Sequence, residues 1–201
     1  MNTPRTDLPD ASEAHASDSE LRNQLLIAMP SLADPNFARS VTLICQHSAE
    51  GAMGIVLNRS TPLLLGDVFE QLGIECADRA RAAQPVLAGG PVQAERGFVV
   101  HDGDHGWDSS HRVAAELWVT TSRDVLVALA RNQGPTHALL ALGYAGWGAG
   151  QLDDELRDNA WLTAPADHAL LFATPFQTRW AAAAQSVGVD LARMTTQAGR
   201  A

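Results

Sequence analysis

From residue 24 onward, apolar residues come in short runs bounded by Gly, Pro, Asp and Asn, the pattern of a chain that makes strands first and helices later. Residues 24–29 predict a strand, 30–37 an irregular loop around Asp34-Pro35, and 40–47 a strand carrying the β-branched Val41, Thr42 and Ile44. A hairpin loop of about five residues around Gly51 returns the chain into a strand over 53–58. A short helix follows over 66–72, and no element is assigned to 75–84. Strands are predicted over 85–88, 97–101 and 115–120, with a polar loop over 101–111. The first clear helix starts at Thr121 or Ser122, carries Asp124 in its first turn, buries Val125, Leu126, Leu129 and Ala130, and stops at Gly134-Pro135. A buried strand over 136–144 then runs into a glycine-rich connection, 143–150, and a helix reaching about residue 159. Trp161 and 168–172 read as more sheet. In the last helix, Thr174-Pro175-Phe176-Gln177 forms a capping box, Phe176, Trp180, Ala183, Ala184 and Val187 line one face, and Gly188 ends it. This order implies an α+β single domain with a mixed or antiparallel sheet, not regular βαβ winding.

Composition narrows the possible partners. The chain has 201 residues with 14 Lys+Arg against 23 Asp+Glu, a formal charge of −9; every cation is Arg, and no two stand side by side. A DNA binder normally shows a clustered basic face, so direct DNA binding is disfavoured. The globular domain is placed at 23–190, preceded by a disordered acidic tail over 1–22 without aromatic, Val or Ile residues, and followed by a C-terminal extension over 191–201. Two cysteines and no CxxC pair suggest neither a disulfide framework nor a structural metal. No apolar run approaches a membrane span and no secretory signal is read at the start, so the expected location is the cytoplasm, with no membrane contact.

Few residues invite chemistry. On a regular strand Cys45 and His47 share a face with Cβ atoms about 6.5 Å apart, which makes a thiol centre imaginable, although Val41 and Leu43 mark that face as core. His101, Asp102, Asp104, His105, Asp108 and His111 are the densest set of metal-type residues, but they lie on a loop without helix-borne spacing, and no metal or cofactor is assigned. The glycine-rich stretch matches no phosphate-binding motif, and Asp153, Asp154 and Glu155 would repel a phosphate there. Arg96 could face an anion or pair internally with an acid, and no G-x-S-x-G elbow exists.

Taken in order, Leu26-Ile27-Ala28-Met29-Pro30, Asp34-Pro35-x-Phe37-x-Arg39-Ser40-Val41, Cys45-x-His47, Gly51-Ala52-Met53-Gly54 and Asn58-Arg59 form a recurring pattern. It continues through Gly89-Gly90-Pro91-Val92, Arg96-Gly97-Phe98-x-x-His101, Thr121-Ser122-x-Asp124, Gly143-Tyr144-Ala145-Gly146-Trp147-x-x-Gly150-Gln151-Leu152 and Asn159-x-Trp161. Together these segments resemble the AlgH/YqgE family, a bacterial group of uncharacterised proteins. The resemblance implies a branched sheet curled into a barrel-like core with flanking helices. It also implies a label, transcriptional regulator, that comes from a genetic link to alginate regulation, and it brings no reaction. Ser60 after Arg59 and Asp153 after Leu152 depart mildly from the family pattern.

Polar residues at strand ends and turns suggest a shared binding surface made by Arg39, His47, Asn58, Gly90, Arg96 and His101, bordered by Tyr144 and Trp147. The expected function is therefore a non-enzymatic regulatory protein that binds a small anionic ligand or a protein partner. An enzyme built on Cys45 and His47 comes second, and a DNA-binding regulator third.

Overall fold

A computed structural model describes residues 21–103 and 106–191. The expected acidic tail, apart from its last two residues, and the C-terminal extension, apart from Leu191, lie outside them, as do positions 104 and 105. In chain order the elements are β1 (Gln24–Ala28), β2 (Val41–Ser48), β3 (Gly51–Val56), β4 (Ser60–Leu64), α1 (Leu65–Gln71), α2 (Arg79–Ala82), β5 (Pro85–Ala88) and β6 (Val92–Asp102). There follow β7 (Ser110–Ala114), β8 (Leu117–Thr120), α3 (Arg123–Ala130), β9 (Ala138–Gly148), α4 (Gln151–Arg157), β10 (Trp161–Pro165), a π-helical turn (Ala169–Ala173) and α5 (Phe176–Ser186). Among the described residues, no helix is long and apolar enough to cross a membrane.

Among the described residues the sheet has ten strands: eight follow the order β10-β1-β2-β3-β9-β6-β8-β7, and a branch at β9 adds β5, which pairs in turn with β4. One edge of β9 pairs with β6, while the other pairs first with β5, through Ala141 and Leu142, and then with β3, through Ala145 to Gly148. Only the β5–β9 pairing is parallel, so the result is one α+β domain with a curled, mainly antiparallel half-barrel.

Strand alternation explains the curl. Leu25, Ile27, Val41, Leu43, Phe98 and Val100 face an inner cluster closed by Ala183 and Ala184 of α5, while their neighbours face outward. Val99 meets α1 and α3 on one outer flank, and Leu26, Ala28 and Ile44 meet Trp147, Leu152 and Trp161 on the other. Both sheet faces are thus buried over much of their length. At about 1.5–3 kcal/mol for each fully buried large aliphatic side chain, this double burial sets the strand registers, because a one-residue slip would exchange the two faces.

Several expectations need correction. The β2–β3 turn is shorter than about five residues: pairing continues to Ser48↔Gly51, and the Ser48 hydroxyl accepts from the Glu50 amide. The glycine-rich stretch is strand as far as Gly148, because small residues let β3 and β9 pair closely. Strands β4 and β7 were not anticipated; both are largely exposed and lack a clean apolar alternation, and Pro62 fits the edge position of β4. Residues 168–172 are not sheet. Asp167 Oδ1 accepts from the amides of Ala169 and Leu170 and starts a π-helical turn that buries Leu170 and Leu171. The capping box at 174–177 does not form, since the Thr174 hydroxyl donates instead to the Ala169 carbonyl. Val187, just past the end of α5, is exposed, whereas Arg179 within the helix is buried, donating to the carbonyls of Leu57 and Thr174.

Candidate functional site

The inner face of the half-barrel is covered by α5 at one end; beyond it lies a groove of about 920 Å³ with no α5 residue in its lining. Cys45, Met53, Phe98, Val119 and Tyr144 make its apolar floor. Its rim carries Gln46 and Ser48 from the end of β2, Glu50 from the turn after it, Gln93 and Arg96 from the start of β6, and Ser109, His111 and Thr121 opposite.

A backbone crossing positions the rim of β6. After β5 the chain passes directly over β9, so close that a Cβ on Gly90 would lie 2.1 Å from the Tyr144 carbonyl carbon. Gly143, with φ 73°, makes the reciprocal contact: a Cβ there would lie 2.4 Å from the Gly90 oxygen. Pairing of β6 with β9 then jumps from Val92↔Tyr144 to Gly97↔Leu142, so residues 93–96 bow away from β9 and lift Arg96 over the groove. Gln93 and Ser109, both on the rim, adopt φ 50°, a left-handed conformation that costs a non-glycine residue about 1 kcal/mol and that clusters at functional sites.

Arg96 is the groove's distinguishing group. Its Nη1 donates to Gln93 Oε1 at 3.3 Å, and its guanidinium carbon lies 5.4 Å from the centroid of Phe98, which packs edge-on against Tyr144 at 5.6 Å. Among the described residues it makes no ion pair, so the expected internal pairing with an acid is not found. Among the described residues of the lining Glu50 is the only carboxylate; it accepts from the Ser48 hydroxyl at 2.6 Å, and that hydrogen bond holds its pKa below the ordinary value.

The structure brings together only part of the expected surface. Arg96 and Tyr144 line the groove, and Trp147 borders it while its ring packs among Phe37 and Trp161. Trp147 and Trp161 both donate Nε1–H to Glu155 Oε2, at 2.9 and 2.8 Å, which makes Trp147 a brace. Arg39 lies elsewhere, 5.5 Å above Trp180 of α5. Asn58 clasps the backbone of residues 39–41, accepting from the Val41 amide and donating to the Arg39 carbonyl. Gly90 serves the crossing. His101 is fully buried; with Nδ1 donating to the Asp102 carbonyl, Nε2 accepts from Thr120, and burial pushes its pKa down.

Cys45 and His47 do not form a pair. A bulge between Ile44 and Gln46 puts an extra residue into β2, so Cys45 and Gln46 face the groove side while His47 turns to the opposite flank, with Nε2 3.8 Å from Asp153 of α4. Burial pushes the Cys45 thiol up to about 12, and the group is only 1% exposed.

A second constellation joins residues far apart in the chain. Asp102 ends β6, His137 precedes β9, and His168 precedes the π-helical turn; one ligand-type atom from each lies within 4.8 Å of the others. His137 Nδ1 is 2.5 Å and His168 Nε2 3.2 Å from Asp102 Oδ2, while Oδ1 accepts from the His137 amide at 2.9 Å. Partial burial would raise the Asp102 pKa, but these hydrogen bonds outweigh it and the carboxyl is held below its usual range. Only Asp102 of the three falls in the sequence cluster at 101–111, and nothing local marks His137 or His168.

Comparison with known proteins places the whole domain. A profile of the family described as AlgH-like matches residues 25–192, and the chain belongs to that family. A UPF0301 protein of Xanthomonas campestris pv. campestris (strain B100) is 55% identical over 181 residues, covering 90% of this chain and 96% of the relative. A UPF0301 protein of Xanthomonas axonopodis pv. citri shows the same identity and coverage. The solution structure of AlgH from Pseudomonas aeruginosa superimposes with a TM-score of 0.73 at 49% identity, over 90% of this chain and 96% of that one. A crystal structure of a Corynebacterium diphtheriae protein, at 24% identity, shares the fold with a TM-score of 0.67 over 89% of this chain and 93% of its own.

Proposed function

We propose that this AlgH-like protein is a non-enzymatic, cytoplasmic regulatory protein whose groove takes a small ligand. The ligand's anionic group would meet Arg96, and its flat apolar body would lie over Phe98 and Tyr144. The observation that carries this reading is Arg96 itself. In a chain of net charge −9, this guanidinium is held over an aromatic ring at the mouth of a groove with no carboxylate in ion-pair reach among the described residues. The groove's volume falls in the range of small-molecule sites, and two rim residues keep strained backbones that such sites tend to retain.

The alternatives have less support. A thiol nucleophile needs an accessible, electropositive setting, and Cys45 has neither its imidazole neighbour nor an ionisable thiol near neutral pH. DNA recognition by the last helix would rely on Arg179, which is buried.

A thermal-shift panel of nucleoside monophosphates and aromatic carboxylates tests the reading. A true ligand at 100 times its Kd stabilises the protein by about 2.7 kcal/mol, a rise of several degrees, and the rise should disappear in Arg96→Ala. A panel without shifts, or shifts equal in Arg96→Ala, contradicts it.

A further inference from the structure

We propose that Asp102, His137 and His168 form a binding site for a divalent transition-metal ion of the zinc class, separate from the groove. Two imidazoles and one carboxylate are a donor set that suits Zn²⁺ and Co²⁺, and three protein ligands leave a coordination position for water. Here both ring nitrogens lie against one carboxylate oxygen, Asp102 Oδ2, so the three ligand-type atoms are already gathered within 4.8 Å of one another. In a tetrahedral zinc site, bonds of about 2.0–2.1 Å put neighbouring ligand atoms about 3.3 Å apart. The observed pairs at 2.5 and 3.2 Å, with the remaining pair inside 4.8 Å, need sub-ångström to modest side-chain movement, and the exposed rings of His137 and His168 can supply it.

The surroundings fit a metal site in three ways. The sheet sets two ligands in register: β6 and β9 pair at His101↔Ala138, and the Asp102 amide extends the ladder by donating to the His137 carbonyl at 3.1 Å. The carboxylate is aimed from behind by the His137 amide on Oδ1, the kind of outer hydrogen bond that orients metal-binding carboxylates. Phe172 packs against both rings, with centroids 5.6 Å from His137 and 4.9 Å from His168, giving the site an apolar wall. The Asp102 carboxylate gives the cluster an anionic oxygen ligand of the kind zinc takes.

Untagged full-length protein titrated with Co²⁺ tests the proposal through the visible d–d bands of bound cobalt. The expected result is one Co²⁺ per chain, displaced by Zn²⁺, with affinity falling at least tenfold in His168→Ala and in His137→Ala. His168 is exposed, so its variant keeps the fold, and circular dichroism of each variant verifies that. His47→Ala, a histidine outside both the cluster and the groove, should bind Co²⁺ as the unaltered protein does. Absence of a saturable cobalt spectrum, or a spectrum that survives in both cluster variants, overturns the proposal.

Discussion

The Cys45 thiol and the His47 imidazole, two positions apart on β2, lie on opposite faces of the sheet. Cys45 packs with Val41 and Leu43 in the inner cluster, and His47 faces Asp153 of α4. Native protein should therefore expose only Cys76 to a thiol reagent near pH 8, and Cys45 should react on unfolding. A thiol held at about 12 when folded and near 8.5 when unfolded keeps its proton only in the native state above pH ~8.5. Stability from this group is thus full below that pH and falls by about 1.4 kcal/mol per unit above it. Ellman titration with and without denaturant checks the first statement, and urea unfolding at pH 8 and 10 the second, with Cys45→Ala lacking the added slope.

Glu155 joins two tryptophans from different strands. One carboxylate oxygen accepts from Trp147 and Trp161, and the other from Gln151, whose own amide oxygen accepts from the Gly148 amide. Hydrogen bonds to a charged acceptor contribute about 1.5–3 kcal/mol each, so Glu155→Ala should destabilise by about 3 kcal/mol and Glu155→Gln by less. Denaturant unfolding measures the difference.

Asp124 fastens the start of α3 to the loop between β6 and β7. Its carboxylate accepts from the amides of Asp108 and Val125, at 2.8 and 2.9 Å, and hydrogen-bonds with Ser122. Burial would raise its pKa, but these bonds prevail and lower it. The stabilisation is therefore present above the unfolded value of about 3.9 and lost as pH falls through the lower folded value. Asp124→Asn should cost about 1–2 kcal/mol at pH 7, and the deficit should shrink towards zero as the medium is acidified below pH ~3.9. Unfolding curves across that range check both ends.

Gly90 has no room for a side chain over Tyr144. Gly90→Ala should destabilise by about 3 kcal/mol or more, because the obstruction is backbone and cannot rotate away. The same substitution at Gly73, whose added Cβ meets nothing within 4 Å, should cost less despite its positive φ of 64°. Paired melting curves of the two variants check the ranking.

What was legible in the chain follows from where its signals are local. β1, β2 and α3 carry their alternation or stripe within a few residues, and the structure keeps them nearly as read. The family resemblance also anticipated a branched, curled sheet, but not that the branch lies at β9, which no local pattern announces. The bulge at Cys45 was hidden because it arises in pairing with β3, and it overturned the one-face reading of Cys45 and His47. Nothing local marks Arg179 of α5 as buried, because its acceptor, the Leu57 carbonyl, is 122 positions away in sequence. The groove is assembled from strands between Cys45 and Trp147, so Gln93 and Ser48 gave no advance sign of belonging to it.

The most direct test of the groove is an amide NMR titration with the strongest compound from the anion panel. The account predicts shifts confined to Gln46, Ser48, Gln93, Arg96 and Tyr144 and their neighbours, absent in Arg96→Ala. Shifts centred instead on Arg39, Trp180 and α5, or spread over the surface without saturation, would contradict it.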